Sequence, residues 1–244
     1  MKPNLPLRYL LTGFFVPCTA LAGTGGPVIT PTLHSSSTDS WWKASLNVGY
    51  ETLHVYRGVD SSAGNANIWE SLDIDIANFF HFNLYNGNSL NGEYGELTPS
   101  FHFYKDLGPV TAAAGMIWYH FPGEDGVDSE EYYIQLSREL GAGFSASAWF
   151  SYNARSEGWY HELKLSHSLP INSTVSVENY AALGYSTSYR SGGDGLDNLT
   201  VGVGVPVKLT ESLTLKPALG YAFALDALDT GDEGWAALTL SYRF

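Results

Sequence analysis

Asp73 and Asp75 stand two residues apart in the segment Ile68–Ala77, where Leu72, Ile74 and Ile76 fill the alternate positions. In an extended strand successive side chains point to opposite faces, so the two carboxylates share one face and the aliphatic chains the other. Like charges on one wall draw cations toward it unless basic neighbours neutralise them. The same parity collects Lys43, Glu51, Glu96, Glu131, Glu162, Lys164, Glu178, Lys216 and Arg243 on the polar faces of other segments, and acids outnumber bases in the whole set.

Other chemistry is harder to assemble. His161-Glu162 followed by His167 misses the His-Glu-x-x-His spacing of a helical zinc site and lies in a strand-like segment. Ser166, His167 and Ser168 are adjacent, so serine and histidine point apart and form no local nucleophile and base, which lipid hydrolysis on a barrel wall would need. His81 and His102 share the inward parity of neighbouring segments. A hydrogen-bonded pair is the expectation there, with one shared ion as the alternative. No catalytic residue, metal site or cofactor is expected.

A second acidic set lies between the segments: Glu124, Asp125, Asp128, Glu130, Asp194, Asp197, Asp226, Asp229, Asp232 and Glu233. The stretches Gly192–Gly195 and Asp229–Glu233 have calcium-loop composition but fail the twelve-residue spacing of an EF-hand, so a solvated, repulsive surface is expected.

The elements that must position these groups are strands. The chain closes on Leu238, Leu240, Tyr242 and Phe244 at every second position. Twelve alternating segments are read: Trp42–Tyr56, Ile68–Ala77, Phe79–Asn86, Tyr94–Tyr104, Val110–Phe121, Glu130–Arg138, Phe144–Tyr152, Trp159–Ser168, Thr174–Tyr185, Leu199–Lys208, Leu213–Phe223 and Trp235–Phe244. Segments that are apolar on one side and polar on the other span a bilayer only when closed on themselves, because each backbone group needs a partner away from water. The fold class is therefore all-β, a transmembrane antiparallel β-barrel of about 12 strands. Tyr242 and Phe244 form the expected assembly signal, read by the barrel-assembly machinery.

Gap lengths alternate. Short turns near Asn78, Lys105, Gly141, Pro170 and Glu211 face longer loops at Arg57–Asn67, Gly87–Glu93, Pro122–Ser129, Asn153–Gly158, Ser186–Asn198 and Ala224–Gly234, which places both barrel ends on the periplasmic, short-turn side. Trp41, Trp42, Phe79, Phe103, Tyr119, Phe121, Tyr152, Trp159 and Trp235 sit near segment ends and read as two interfacial girdles.

Three regions follow. Lys2 and Arg8 precede an apolar run from Tyr9 to Leu21 that ends on Ala20-Leu21-Ala22, so residues 1–22 read as a secretory signal peptide carrying the single cysteine, Cys18. Residues 23–40, rich in Gly, Pro, Ser and Thr, read as a flexible periplasmic lead-in, and residues 41–244 as the barrel. Loss of Lys2 and Arg8 moves the formal charge from -13 to about -15, which makes nucleic acid an unsuitable partner.

The segments Tyr56-Arg57-Gly58-Val59, Tyr119-His120-Phe121-Pro122-Gly123 and Glu130-Glu131-Tyr132-Tyr133, with the Leu240-x-Tyr242-x-Phe244 ending, resemble in order and spacing the TorF-type porin family of small outer-membrane barrels. The resemblance implies porin-like architecture in a Gram-negative outer membrane, with lipids and lipopolysaccharide as surroundings. Twelve strands lie between eight, where side chains fill the interior, and sixteen, where an aqueous channel remains. A narrow channel for small polar or cationic solutes or ions is the leading expectation, and a plugged structural or surface-interaction barrel is the alternative, ahead of a lipid-modifying enzyme.

Overall fold

The computed structural model describes residues 41–123 and 127–244. The expected leader and lead-in, with Cys18, and the loop acids Glu124 and Asp125 lie outside the described residues. The strands are β1 (Trp42–Glu51), β2 (Val55–Tyr56), β3 (Val59–Asp60), β4 (Asn67–Ile76), β5 (Phe80–Ser89), β6 (Gly95–Asp106), β7 (Thr111–Tyr119), β8 (Ser129–Gly141), β9 (Phe144–Asn153), β10 (Gly158–Pro170), β11 (Ser176–Thr187), β12 (Gly195–Gly204), β13 (Val207–Lys208), β14 (Leu213–Ala224) and β15 (Glu233–Arg243).

Twelve of these build one closed antiparallel wall. β1 pairs with β4, each strand from β4 to β12 with the next, β12 with β14, β14 with β15, and β15 with β1. Closure leaves no edge with unpaired backbone groups, the condition for crossing hydrocarbon with strands. Along the β1/β15 seam Leu46, Val48 and Tyr50 stand opposite Tyr242, Leu240 and Leu238, and all six are exposed. They continue an outward apolar belt that includes Phe101, Ile134, Phe150, Leu163 and Leu219. The inward face alternates with it. Asn47, Glu51, Ser71, Asn83, Ser100, Gln135, Ser151 and Thr239 are buried and polar, inverting the pattern of a water-soluble domain.

Several expected boundaries move. The first strand stops at Glu51 instead of Tyr56, and residues 52–66 turn inward with the small β2–β3 hairpin at their tip. Pairing extends further into the gaps expected at 87–93 and 153–158, leaving only 90–94 and 154–157. The strand expected through Lys208 is interrupted at Pro206, which has no N–H to give. Its register against β14 is unbroken all the same, from Gly204↔Ala218 to Val207↔Leu215.

The girdle assignment also needs correction. Trp41, Trp42, Phe79, Phe103 and Trp159 are exposed on the outer wall as expected. Tyr119 and Trp235, however, are buried in the interior, and Phe121 packs against the cluster around Tyr119. Parity is the reason: Tyr119 shares a face with Ile117, and Trp235 with Ala237 and Thr239. Trp118, Tyr132, Tyr185 and Tyr221 take the outward places at that end.

Candidate functional site

Residues 52–66 fold into the interior at the long-loop end, where His54, Val55, Arg57 and Ser62 are buried. Arg57 (φ 49) and Gly58 (φ 80) form the two-residue turn between Tyr56 and Val59, which are paired. Two successive left-handed residues make the tight turn that suits a short hairpin. Gly58 is required for a second reason: a side chain there would meet Asn198 Cβ at 2.8 Å and Leu228 Cδ2 at 3.0 Å. The hairpin can lie this close to the far wall only because its tip is bare.

Arg57 is carried across the lumen to β8, five strands away around the ring. Its two terminal nitrogens donate to Glu131, Nη1 to Oε2 at 2.8 Å and Nη2 to Oε1 at 2.5 Å, and Nη1 also donates to the Tyr189 hydroxyl at 2.7 Å. The guanidinium lies 4.1 Å from the centroid of Tyr160, 4.9 Å from that of Tyr56 and 5.4 Å from that of Tyr189. Tyr56 shares a short hydroxyl contact with Tyr119. Burial acts against the charge on Arg57, but Glu131, together with Tyr189 and Tyr56, more than offsets it and holds the group cationic. Arg190 completes the clasp, donating to the Arg57 carbonyl at 2.9 Å while its Nε donates to Asp197 at 2.9 Å.

The near side of the same loop is held by His54. Nδ1 lies 2.6 Å from Glu51 Oε1 on β1, and Nε2 lies 3.5 Å from Glu96 Oε2 on β6. Asn67 donates to Glu51 at 2.9 Å, Thr98 donates to Glu96 at 2.5 Å, and Tyr94 donates to the same Glu96. Burial by itself lowers the basicity of His54, yet hydrogen bonding and attraction from Glu51 and Glu96 raise its pKa to about 10. The imidazole is thus a cation at neutral pH. Between these anchors Val55 is fully buried against Ala222, Trp235 and Ala237. Burying one valine stabilises docking by about 1.5–3 kcal/mol, comparable to the polar anchors.

Burial falls toward the short-turn end. The Glu131 side chain is 0 % exposed, whereas Asp73 and Asp75 are 25 % and 32 % exposed. Asp73 accepts from Asn47 at 2.7 Å and from Asn83 at 2.8 Å, and His81 Nδ1 lies 2.8 Å from Asp75. Across the lumen Lys216 faces Glu178 at 3.8 Å, and Lys164 lies 4.5 Å from the Tyr180 centroid. Glu162 is half-buried near Lys164, while Lys43 and Arg243 are exposed at the short-turn rim. Lys43 is in register with Asp75.

Other sequence readings resolve differently. His81 and His102 stack with centroids 4.8 Å apart instead of hydrogen bonding to each other. Among the described residues no group of three potential ligand side chains could hold a metal ion. Asp197, expected in an exposed acidic loop, is buried, because a bulge between Leu183 and Tyr185 turns both Asp197 and Asn198 inward. Other loop acids serve their own turns: Asp128 accepts from the Phe121 amide, Asp194 from the Ser188 amide and Asp232 from the Ala224 amide. Glu130 bonds the Tyr132 hydroxyl.

No protein-family model matches the chain, and no curated protein matches it in sequence. Solved structures do match in fold. The KdgM porin superposes with a TM-score of 0.60 at 9% identity, over 82% of this chain and 99% of that one. The NanC porin gives 0.58 at 12% identity, over 82% and 98%. The COG4313 outer membrane channel from Pseudomonas putida F1 gives 0.54 at 10%, over 85% and 97%. The chain shares the barrel fold of these small outer-membrane porins and channels.

Proposed function

We propose that this barrel is a narrow, porin-like channel of the outer membrane for small polar or cationic solutes, closed at its outer mouth by residues 52–66 in the conformation described. The observation that carries this reading is the inward row of carboxylates: Glu51, Asp73, Asp75, Glu96, Glu131, Glu162 and Glu178, with Asp197 added. Lys43, Lys164, Lys216, Arg243, Arg57, Arg190 and the protonated His54 oppose them, one fewer than the acids. A low-dielectric wall focuses the residual negative field, and the partly exposed Asp73–Asp75 pair is where a passing cation feels it. The KdgM porin has been solved in complex with oligogalacturonate, a polyanion. A lumen with excess carboxylate is a poor path for such a solute, so the shared fold does not carry its cargo here.

Several features complete the reading. Residues 1–22 serve as an export leader and 23–40 as a periplasmic lead-in, and the resemblance to TorF-type porins extends to the same general role. Lipids, lipopolysaccharide and the barrel-assembly machinery are its partners. The reading is not enzymatic: His161 and His167 contact rings of the outer wall, Phe150 and Phe144 respectively. In planar bilayers under a potassium chloride gradient the reversal potential should show cation preference. The double change Asp73→Asn with Asp75→Asn should weaken it, and anion preference in the parent protein would overturn the assignment.

The dense burial around Arg57 favours a second reading, a plugged structural or surface-interaction barrel. A correctly folded Arg57→Ala variant that still conducts nothing would select it.

A further inference from the structure

The pocket that receives Arg57 has the composition of a ligand site. Glu131 offers both oxygens to the two terminal nitrogens in a fork, the pairing specific to guanidinium. Tyr160 and Tyr189 present rings to the cation, and the Tyr189 hydroxyl accepts a third hydrogen bond. Arg57 Nε, in contrast, is buried with no hydrogen-bond partner. The pocket therefore recognises only the terminal fork and its flat face, the part that any alkylguanidinium shares. The residue delivering that group sits at a left-handed position of a two-residue turn, an uncommon conformation for a side chain of this size. All of the recognition except Tyr56 belongs to the barrel wall and the loop at 188–194, not to the tether.

We infer that the Glu131, Tyr160 and Tyr189 pocket is a binding site for guanidinium-type organic cations, occupied in this conformation by the chain's own Arg57, and that a free ligand of this class competes with the loop for it. Binding itself is independent of the channel reading; the consequence, that displacement of the loop alters passage through the mouth, rests on it. Removing Arg57 leaves the Glu131 carboxylate buried without its counter-charge, which favours uptake of an external cation of matching shape. In the parent chain the tethered arginine acts at an effective concentration on the order of millimolar, so a free ligand must exceed that to compete.

The test uses the full refolded barrel and methylguanidinium chloride, with sodium chloride at equal ionic strength as reference. Tyrosine fluorescence reports binding and single-channel conductance reports passage. Arg57→Ala should bind methylguanidinium saturably at a midpoint at least tenfold below that of the parent chain, and adding Glu131→Gln should abolish the response. Should Arg57→Ala not assemble, Arg57→Lys keeps a positive charge without the fork, and its loop should be displaced at a lower methylguanidinium concentration than in the parent. A response no different from sodium chloride, or one that survives Glu131→Gln, overturns the site. Saturable binding with a conductance that neither ligand nor variant changes overturns the effect on passage, and no conductance in any variant overturns the channel reading; both leave the site standing.

Discussion

His54 is the residue through which pH reaches the fold of residues 52–66. It faces Glu51 from β1 and Glu96 from β6, with the Tyr85 hydroxyl 3.4 Å from Nδ1 and the Tyr94 ring 5.5 Å away. Its folded pKa of about 10 lies above the ordinary 6.5, so the hold it provides is complete below 6.5 and is lost as pH rises through 10. Conductance should therefore increase across that window, and His54→Gln should flatten the dependence; an unchanged slope in the variant would assign it to another group. The Arg57–Glu131 pair behaves differently. Removing either partner strands a buried charge and should cost about 3–5 kcal/mol, whereas replacing both with apolar residues, Arg57→Met with Glu131→Leu, should recover most of that loss in urea titrations of the folded barrel. Neither His54 nor Arg57 is legible from strand parity, because extending the first strand to Tyr56 puts His54 on the lipid side and Arg57 in an outer loop. Leu53 and Val55 carry the missed warning: on that extension they place apolar side chains in an otherwise polar lumen.

At the level of elements, the wall is well encoded and the inward fold of residues 52–66 is not. Alternation fixes which face of each strand meets lipid, since a one-residue slip would turn every apolar side chain inward. The bulge that turns Asp197 inward and the fold of residues 52–66 depend on contacts between distant strands, and no local pattern announces them. The tip of the β2–β3 hairpin tests this dependence. Gly58→Ala adds a side chain at positive φ against Asn198 and should lift the hairpin from the wall without disturbing β1, read as raised conductance at unchanged barrel yield. The last strand makes a separate prediction. Tyr242 and Phe244 are exposed on the lipid face with ring centroids 5.1 Å apart, while Arg243 lies on the inward face at the rim. Deleting Phe244 should lower the amount of heat-modifiable barrel in the membrane more than Arg243→Ala does, and the reverse ranking would refute its role in assembly.

For the molecule as a whole, the strand number, the antiparallel closure and the sidedness of the wall follow from alternation and turn spacing, which are local. Charge balance in the lumen does not. Arg57, Arg190 and Asp197 enter it from segments that read as loops, and the excess of acid over base becomes smaller than parity alone implies. Orientation is the remaining global property. With the long loops outside, a cysteine replacing Asp229 should react with an impermeant reagent on intact cells, while one replacing Pro170 should not; labelling at Pro170 alone would invert the barrel.

The far side of the seat for residues 52–66 is built from β8, β10, the segment at 188–197, β14 and β15, all made later than the loop that fills it. Together with the β1/β15 seam, this gives the barrel a high contact order, with its decisive contacts separated by most of the chain. Docking of the hairpin must therefore wait until the ring is nearly complete, and its contacts are absent from the barrier to folding. Changes at Arg57 or Gly58 will consequently leave the rate of barrel formation almost untouched and instead shorten the time for which the hairpin of a finished barrel stays docked.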